Sequence, residues 1–261
     1  MRYEEYLPHP DLRERVECYW KFYVDAKDEA DSTKPLKHVF PPDGSCSLLF
    51  FCSQMDQHKG VIFVGPTTFI KEIDVYPNTI NIGIRLKPGC SGWLNTIDPK
   101  TILNTSVHIG PDTICKWQQE VLDFIRLDFD APEYLDQHLL PLLNRPGFSI
   151  DSRIVKAVDF ITAHSGNITM TAVASESCLS ERHLQRLFLQ KTGITPKQFC
   201  QIRRLRNAII NLHIQKKSYA AMIMERGFSD QAHYYKSFKN VAGYSMEKFF
   251  NHIAKIEHLL V

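Results

Sequence analysis

Features that mark common enzyme classes are missing from this sequence of 261 residues. It contains no Gly-rich phosphate loop, no nucleophile elbow and no H-E-x-x-H pair. Its seven cysteines show no CxxC or zinc-finger spacing, so we expect reduced and mostly buried thiols. The histidines of the first 150 residues form no H-x-H pair, which argues against a metal-dependent barrel enzyme. We therefore expect neither a catalytic centre nor a metal or other cofactor.

Long apolar runs are missing as well. No segment approaches the roughly 20 apolar residues that cross a bilayer. The first residues also lack the charged start and apolar stretch of a secretory signal. The sequence therefore predicts a cytoplasmic protein without a membrane partner, long enough for two domains that each bury a core.

Net charge is low for the whole chain but not for its two halves. The formal charge is +2 overall. Residues 151–261 hold 16 Lys and Arg against 8 Asp and Glu, a net charge of +8, whereas residues 1–150 hold 15 against 21, a net charge of −6. A basic half beside an acidic half favours nucleic-acid binding by the basic half, although proteins without nucleic-acid partners show such asymmetry too.

A repeated pattern occupies most of the basic half, once at residues 169–199 and again at residues 219–249. Five pairs of residues stand 50 positions apart: His183 with His233, Leu184 with Tyr234, Phe188 with Phe238, Gly193 with Gly243 and Phe199 with Phe249. Each copy predicts a short helix, a turn, a serine N-cap (Ser180, Ser229) and a longer helix. Two such helix-turn-helix units predict a protein that reads two stretches of duplex DNA.

The longer helix of each unit is predicted to have one apolar and one polar face. In the first unit Leu184, Leu187 and Phe188 share the apolar side. The outward side of that helix carries Arg182, Gln185, Arg186 and Leu189. The outward side of the second holds Gln231, Ala232, Tyr235, Lys236 and Lys239. The alternative is an ordinary solvated face on an all-helical domain.

Side-chain chemistry divides these residues into base readers and phosphate contacts. Arg and Gln have the geometry to bond guanine and adenine edges in the major groove, whereas Lys and Tyr more often hold phosphate. We therefore expect base contacts from Arg182, Gln185 and Arg186. In the second unit we expect them from Gln231 and His233, with Lys236 and Lys239 on phosphate.

Residues 150–255 resemble the DNA-binding domain of the AraC/XylS family of bacterial transcription regulators. The first unit matches the family pattern at Ala174, Leu179, Ser180, Arg182, Leu184, Arg186, Phe188, Gly193, Thr195 and Pro196. The second matches at Gly227, Phe228, Ser229, Asp230, Gln231, His233, Phe238 and Lys239. Departures are Cys178 for the usual turn Gly, Tyr234 for Phe, Ile223 for a small Ala, and Met246 for Pro. Of these Cys178 matters most, because a turn residue that needs positive φ is strained as Cys. We therefore expect the first turn to be looser or differently shaped than the second.

A long helix is predicted to join the two units, from Pro196 to about residue 217, with Thr195 as its N-cap. Such a helix of about 20 residues spans roughly 30 Å, close to the spacing of successive major-groove segments on one side of the duplex. The resemblance implies that one monomer covers two adjacent segments. The helix also carries Arg203, Arg204 and Arg206, which either touch the DNA backbone or are solvated or salt-bridged; we favour the second for at least one.

The acidic half shows β-prone runs at residues 18–24, 46–52, 61–64, 70–75 and 79–86, separated by Pro-, Gly- and Asn-containing turns. These predict a β-barrel or sandwich. Helices are predicted at 112–126 and 132–143, and antiparallel helices in this position commonly form a dimer interface, here near Trp117 and Leu139. The best domain boundary lies at residues 144–147, followed by a helix over 153–163 capped at Asp151.

This half also resembles the N-terminal domain of a subset of AraC-like regulators, through PHPDLRERVECYW at 8–20, PPDGSCSLLF at 41–50 and IGIRLKPGC at 82–90. That domain type carries over no established ligand. From the residues themselves, the candidates for an effector pocket combine aromatic and polar groups: Trp20, His38, Phe40, Asp43 and Arg85. Each has a plainer interpretation, as a core aromatic, a turn Asp or a solvent-facing Arg.

The sequence therefore predicts an α+β protein of two domains. Residues 1–148 form a sensor or dimerisation domain, a β-barrel or sandwich with two helices. Residues 149–261 form an all-α DNA-binding domain of two helix-turn-helix units joined by a linker helix. The expected partners are double-stranded DNA, a small-molecule effector, RNA polymerase and a second copy of the chain. Two alternatives stay open: a regulator whose first domain only dimerises or contacts protein, and an AraC-domain DNA-repair alkyltransferase, which the cysteine spacing does not support.

Overall fold

The computed structural model describes residues 1–24, 34–53, 58–125, 131–144, 146–211, 244, 246–253 and 255–259. Its strands in chain order are β1 (Arg2–Tyr6), β2 (Val16–Tyr23), β3 (Leu36–Phe40), β4 (Ser47–Ser53), β5 (Lys59–Val64), β6 (Lys71–Val75), β7 (Thr79–Leu86), β8 (Ser106–Ile109) and β9 (Glu257–Leu259). Its helices are α1 (Lys116–Phe124), α2 (Ala131–Leu139), α3 (Ser152–Ala163), α4 (Met170–Glu176), α5 (Glu181–Thr192), α6 (Pro196–Ile209) and α7 (Met246–Ile253). The predicted α+β class, with a mostly β first half and a helical second half, is confirmed.

Seven strands form one sheet in the order β8-β5-β4-β7-β2-β1-β9, and β3 pairs with β6 in a separate two-stranded sheet. All of these pairs are antiparallel except β1 with β9, which is parallel. Within the described ranges no pairing joins β8 to β9. The architecture is therefore layered, closer to the sandwich than to a closed barrel.

Side chains point alternately to the two faces of the large sheet, and both faces are buried. One face carries Leu48, Phe50, Phe63, Ile82 and Ile84, all with no exposed surface, and packs against α1 and α2. Because successive side chains of a strand point to opposite faces, Trp20 and Arg85 lie on the other one. The β3–β6 pair, α6 and α7 cover that second face, and a cavity lies beneath them. The layered sheet thus places polar residues inside the protein.

Helices α1 and α2 belong to the core of the first half. Val121, Leu135 and Leu139 have no exposed surface, and Trp117 contacts Phe50 edge to face at 6.1 Å between ring centroids. The Leu139 side chain itself is therefore unavailable to a partner, because it completes the core under the sheet, whereas a dimer contact through these two helices stays a prediction. Phe124 of α1, in contrast, is 50% exposed.

The helices of the second half begin at the residues that the sequence predicts. Asp151, Ser180 and Thr195 each accept a hydrogen bond from a backbone N–H of the helix that follows. Thr195 forms a capping box with Gln198, and Pro196 occupies the first turn, so the predicted start of the linker helix is confirmed. The structure follows that helix to Ile209, whereas its predicted remainder to residue 217 lies mostly outside the described residues.

The turn between α4 and α5 contains Cys178 in a left-handed conformation, with φ of 54°. The amide of Leu179 donates to the Ala174 carbonyl at 2.9 Å, and the Cys178 amide donates to that of Ser175 at 3.0 Å. The turn thus keeps the geometry that normally calls for glycine, and it is not looser or differently shaped, as the cysteine had led us to expect. The strain falls on the Cys178 backbone.

Replacing Cys178 with Gly should therefore stabilise the protein by about 0.5–1 kcal/mol, because the relief of left-handed strain exceeds the added chain entropy of glycine in the unfolded state. Urea unfolding measures the difference. Cys178→Ala is the matched control, since it removes the exposed thiol and keeps the Cβ atom. A stabilisation by Cys178→Ala equal to that by Cys178→Gly would show that the thiol, not the backbone, is responsible.

The two halves of the chain are packed against each other. Lys87 pairs with Asp159 of α3 at 2.8 Å, and a Cβ atom at Gly193 would stand 2.9 Å from the backbone of Pro99. The C-terminal strand β9 extends the large sheet beside β1, and α7 packs on β3. The division into residues 1–148 and 149–261 stays a prediction, and these contacts cross it. No helix in the described part of the chain is long and apolar enough to span a membrane.

Candidate functional site

The exposed side of α5 is where the three predicted base-reading residues of the first unit lie. Leu184 and Phe188 have no exposed surface and Leu187 is 8% exposed, so the opposite side of the helix is fixed in the core. Arg182, Gln185 and Arg186 are exposed, and Leu189 beside them is 37% exposed. Within the described residues Arg182 and Arg186 make no ion pair, which leaves both guanidinium groups facing solvent. The arrangement offers hydrogen-bond donors in one row along a helix.

The corresponding residues of the second unit cannot be placed in the same way. Gln231, Ala232, His233, Tyr235, Lys236 and Lys239 all lie outside the described residues. What the structure does place is Phe249, the repeat partner of Phe199. Both phenylalanines have no exposed surface.

The arginines of α6 contact the protein itself. Arg203 Nη2 donates to Glu17 Oε1 at 2.6 Å, Arg206 Nη2 donates to both Glu5 oxygens at 2.8 Å, and Arg204 Nε donates to the Gly166 carbonyl at 3.1 Å. Two of the three are therefore salt-bridged to the first half of the chain, as we favoured for at least one. In this arrangement they tie α6 to the large sheet.

A cavity of about 320 Å³ lies between the second face of the large sheet and helices α6 and α7. All five candidate effector residues line it: Trp20, His38, Phe40, Asp43 and Arg85. Further lining residues come from the second half of the chain, among them Arg206, Ile209, Ile253 and Ile256. Sequence reasoning missed these, as it missed Tyr3 and Glu5 of β1. The cavity is thus walled by both halves.

One end of the cavity is a buried cluster of charges around Glu5. Arg85 Nη1 donates to Glu5 Oε1 at 2.8 Å, and Arg206 meets the same carboxylate from α6. Asp43 Oδ2 lies 3.3 Å from Arg85 Nε, and the Tyr3 hydroxyl donates to Glu5 at 2.7 Å. Burial alone would raise the pKa of Glu5, but the charges of Arg85 and Arg206 outweigh burial and hold that pKa far below its ordinary value. Glu5 is therefore anionic at neutral pH.

The carboxylate of Glu17, which also lies between the large sheet and α6, has a lowered pKa as well. Burial would raise the pKa of Glu17. The positive charge of Arg203, which is in contact with Glu17, outweighs burial and, together with the charges of Arg206 and Arg85, lowers the pKa to about 2. Two carboxylates of the sheet are thus ionised and face two arginines of α6. These ion pairs are electrostatic links between the halves of the chain.

Two histidines meet at another wall of the cavity. His38 Nδ1 lies 3.0 Å from His252 Nε2, and the Val39 amide donates to that same nitrogen at 3.1 Å. Burial, with help from Lys255, lowers the pKa of His252. Since His252 Nε2 accepts from Val39, the pair joins α7 to β3 with a neutral His252 ring. His38 therefore serves as a contact between the halves as well as a lining residue.

Two family models match the chain. Residues 173–252 match a helix-turn-helix domain. Residues 4–108 match a domain of unknown function, DUF6597. The first range covers the exposed face of α5 and reaches into α7, whereas the second covers the five candidate cavity residues.

Comparison with curated proteins finds regulators. The chain is 29% identical over 102 residues to the arabinose operon regulatory protein of Escherichia coli (strain K12), covering 38% of this chain and 35% of that protein. It is 33% identical over 85 residues to the bifunctional transcriptional activator/DNA repair enzyme Ada of the same organism, covering 31% of this chain and 23% of that protein. The chain therefore spans well under half the length of either relative.

Among solved structures, a lysine-to-alanine variant of apo ToxT from Vibrio cholerae strain SCE256 aligns with 90% of this chain and 97% of its own, at 9% identity and a TM-score of 0.48. The C-terminal domain of AraT from Geobacillus stearothermophilus aligns with 38% of this chain and 84% of its own, at 22% identity and a TM-score of 0.34.

Proposed function

We propose that this protein is a sequence-specific DNA-binding transcription regulator of the AraC type, because residues 173–252 match a helix-turn-helix domain and the chain is similar to the arabinose operon regulatory protein. The observation that carries the proposal is the exposed row of Arg182, Gln185 and Arg186 on α5, the second helix of the first unit. That row belongs to the half of the chain with a net charge of +8. Positive charge supplies the salt-dependent attraction to phosphate, and the row supplies donors for base edges.

The proposed mode of reading places α5 in the major groove. Its first turn and a half carries Arg182, Gln185 and Arg186, and the N-terminal part of a recognition helix is the part that reaches the base edges. The Arg side chains fit guanine O6 and N7, whereas Gln185 fits adenine N6 and N7. Leu189, one turn further on, offers apolar contact to a thymine methyl group.

The second unit is proposed to read an adjacent segment of the same duplex. Gln231 and His233 would contact bases and Ala232 would allow close approach, while Tyr235, Lys236 and Lys239 hold phosphate. The helix that begins at Pro196 sets the distance between the units. Arg203 and Arg206 of this helix bind carboxylates of the sheet, so the helix that separates the two units is held against the first half of the chain.

Control by a small molecule is the second part of the proposal. The cavity brings Trp20, His38, Phe40, Asp43 and Arg85 together under α6 and α7. Since Arg206 and Ile209 of α6 form part of its wall, an occupant touches the helix that leads from the first unit to the second. A ligand that binds only when α6 and α7 are packed on the sheet would stabilise this packing by mass action.

A homodimer and a contact with RNA polymerase complete the proposed function. We place the dimer contact on helices α1 and α2, where the ring of Phe124 is 50% exposed and lies 5.4 Å from that of Tyr134. Sedimentation equilibrium of the full-length chain and of Phe124→Glu measures this directly. A monomer at all concentrations would remove dimerisation from the proposal.

Selection of duplex DNA from a random pool by the full-length protein tests the proposal as a whole. We expect enrichment of one motif that contains guanine and adenine at fixed positions. Fluorescence anisotropy at two salt concentrations should then show a steep fall in affinity with salt, as expected for several phosphate contacts. Equal binding to selected and scrambled duplexes would contradict sequence-specific reading.

A further inference from the structure

We propose that the contact between His38 and His252 is a proton-operated joint, which holds α7 on β3 while the His252 ring is neutral and releases α7 when that ring gains a proton. The joint itself follows from the contacts of one atom, Nε2 of His252. Its consequence for DNA reading rests on the proposed function, because α7 lies at the end of the range that matches the helix-turn-helix domain.

A single ring nitrogen accepts both hydrogen bonds of this joint. The Val39 amide donates to His252 Nε2 at 3.1 Å, and His38 Nδ1 lies 3.0 Å from the same atom. A neutral imidazole has one nitrogen that accepts and one that donates, so His252 carries its proton on Nδ1. His38 Nδ1 is then the donor of the second bond. Any proton added to His252 therefore goes to the nitrogen that makes both contacts.

Protonation of His252 breaks the contact with Val39. A proton on Nε2 turns that nitrogen into a donor, and two N–H groups then face each other. Val39 is 2% exposed, so no water replaces the lost acceptor, and a buried N–H without an acceptor is costly. If the proton of His38 moves to its other nitrogen, His38 accepts from His252, but the Val39 amide still has no acceptor. Strand β3 therefore loses a contact with α7 in either case.

The ring of His38 is held in place by aromatic neighbours. It stacks on Phe22 at 4.3 Å between ring centroids, meets Phe40 edge to face at 4.2 Å, and is 4% exposed. A proton added to His38 itself goes to Nε2, which leaves its Nδ1–H on His252 intact. His252 is therefore the group that senses pH, and His38 is its fixed partner.

The charges near His252 do not compensate for an added proton. Burial and the charge of Lys255 lower the pKa of His252 by more than the carboxylate of Glu72 raises it. Glu72 of β6 is 44% exposed and also faces Lys37 at 4.0 Å and the Tyr244 hydroxyl at 3.3 Å. The one anion that favours the imidazolium is thus partly solvated and shared, among the groups that the structure describes.

Other charged groups on the elements around α7 are already engaged. On β1, β3, β6 and α6 they pair with each other or with backbone, as Arg2 with Glu4, Arg206 with Glu5, Lys37 with Asp74 and Lys71 with the Asn104 carbonyl. Lys248 of α7 itself is exposed and positive. No further anion in the described residues is therefore placed to hold a charged His252 on β3.

Acidification consequently weakens the packing of α7. Once α7 is released, the imidazole is solvated and has the ordinary histidine pKa of about 6.5. The pKa of the packed His252 lies below that value, so the released arrangement takes up the proton more readily. The packing is therefore strongest above about pH 6.5, weakens as the pH falls through that value, and levels off below the lowered pKa of the packed ring.

Hydrogen exchange of the Val39 amide in the full-length protein tests the joint. Its protection factor, which corrects for the intrinsic effect of pH on exchange, is measured by NMR at about pH 7.5 and about pH 5.5, one unit on either side of the ordinary histidine pKa. Protection should fall about 3- to 10-fold at the lower pH, the range that linkage allows over this interval.

Titration of isotope-labelled histidine in the same protein locates the midpoint of the His252 ring. The loss of Val39 protection should follow this midpoint, which should lie below about pH 6.5. Constant Val39 protection while His252 gains its proton would overturn the joint. So would a His252 midpoint at or above the ordinary value.

The His252→Gln variant isolates the proton, because its amide oxygen accepts from Val39 at every pH. Its Val39 protection should be equal at the two pH values. His108→Gln is the matched control, since His108 is exposed on the edge strand β8 and should leave the wild-type fall unchanged. The same fall in His252→Gln as in the wild type would refute the joint. If His252→Gln fails to fold, the wild-type titration still decides.

Anisotropy with the selected duplex at the two pH values separates the joint from the proposed function. A released α7 has to be ordered again on DNA, so the wild type should lose at least about 2-fold more affinity on acidification than His252→Gln. Equal losses would remove the joint from DNA reading. Val39 protection that depends on pH in a protein that ignores DNA sequence would keep the joint and sink the function, whereas specific DNA binding with constant protection would do the reverse.

Discussion

Replacing Glu5 with Gln should lower the free energy of unfolding by about 3 kcal/mol, the lower end of the cost of removing one partner from a buried ion pair. The substitution keeps the shape of the side chain but leaves Arg85 and Arg206 facing each other without the charge between them. The Glu5 and Arg85 side chains are only 6% and 8% exposed, so water cannot compensate for the loss. Urea unfolding followed by circular dichroism measures the change.

Glu14→Gln is the matched control for this prediction. It removes the same charge from a side chain that is 58% exposed and stands 3.9 Å from Arg15. Its effect should stay within about 0.5 kcal/mol, as for other exposed ion pairs. Similar losses in the two variants would contradict the view that the Glu5 cluster stabilises the packing of α6 on the sheet.

Local patterns were enough to predict the first helix-turn-helix unit. The spacing of Leu184, Leu187 and Phe188 defines the buried side of α5, and the N-cap Ser180 defines its start, so both follow from residues within one helix. The exposure of Arg182, Gln185 and Arg186 then follows from helical geometry. The turn at Cys178 was not predicted correctly, because the strain of a left-handed cysteine suggested a looser or differently shaped turn, whereas the turn keeps a positive φ.

The cavity could be predicted only in part. Trp20 and Arg85 stand on alternating strands, and Asp43 stands in a recognisable turn, so composition pointed to them as polar and aromatic candidates. The residues that pair with Arg85 and complete the cluster could not be predicted, because Glu5 and Arg206 are 201 positions apart. Strand β1, with the sequence RYEEY, looks like a solvated segment until Arg85 and Arg206 are placed opposite its inward glutamate. Local periodicity carries no information about such long-range pairs.

The packing of the C-terminal segment could not be predicted from local patterns either. Phe249 closes the second repeat in the sequence, yet in the fold it is buried with Val39 and Ile70 of the first half. Strand β9 adds to the edge of the large sheet beside β1. Reading the repeat as part of a separate all-α domain concealed these contacts, since a pattern assigns residues to elements and does not say which elements pack together.

Arg186→Ala is expected to weaken binding to the selected duplex by about 1–3 kcal/mol, roughly 5- to 150-fold, and to relax base preference at one position of the motif. Arg186 is exposed on α5 without an ion pair in the described part of the chain, so its removal costs the fold little. Anisotropy titrations with the selected duplex and with its three single-base variants at each guanine position measure both effects.

Lys191→Ala provides the comparison, because Lys191 is an exposed cation of the same helix that stands off the row of Arg182, Gln185 and Arg186. Loss of a charge that only attracts phosphate weakens binding to all sequences alike and leaves base preference intact. Each variant removes one positive charge, so the comparison separates the reading of bases from the electrostatic attraction to phosphate. An Arg186→Ala protein with unaltered base preference, or with no greater loss than Lys191→Ala, would remove α5 from the reading of bases.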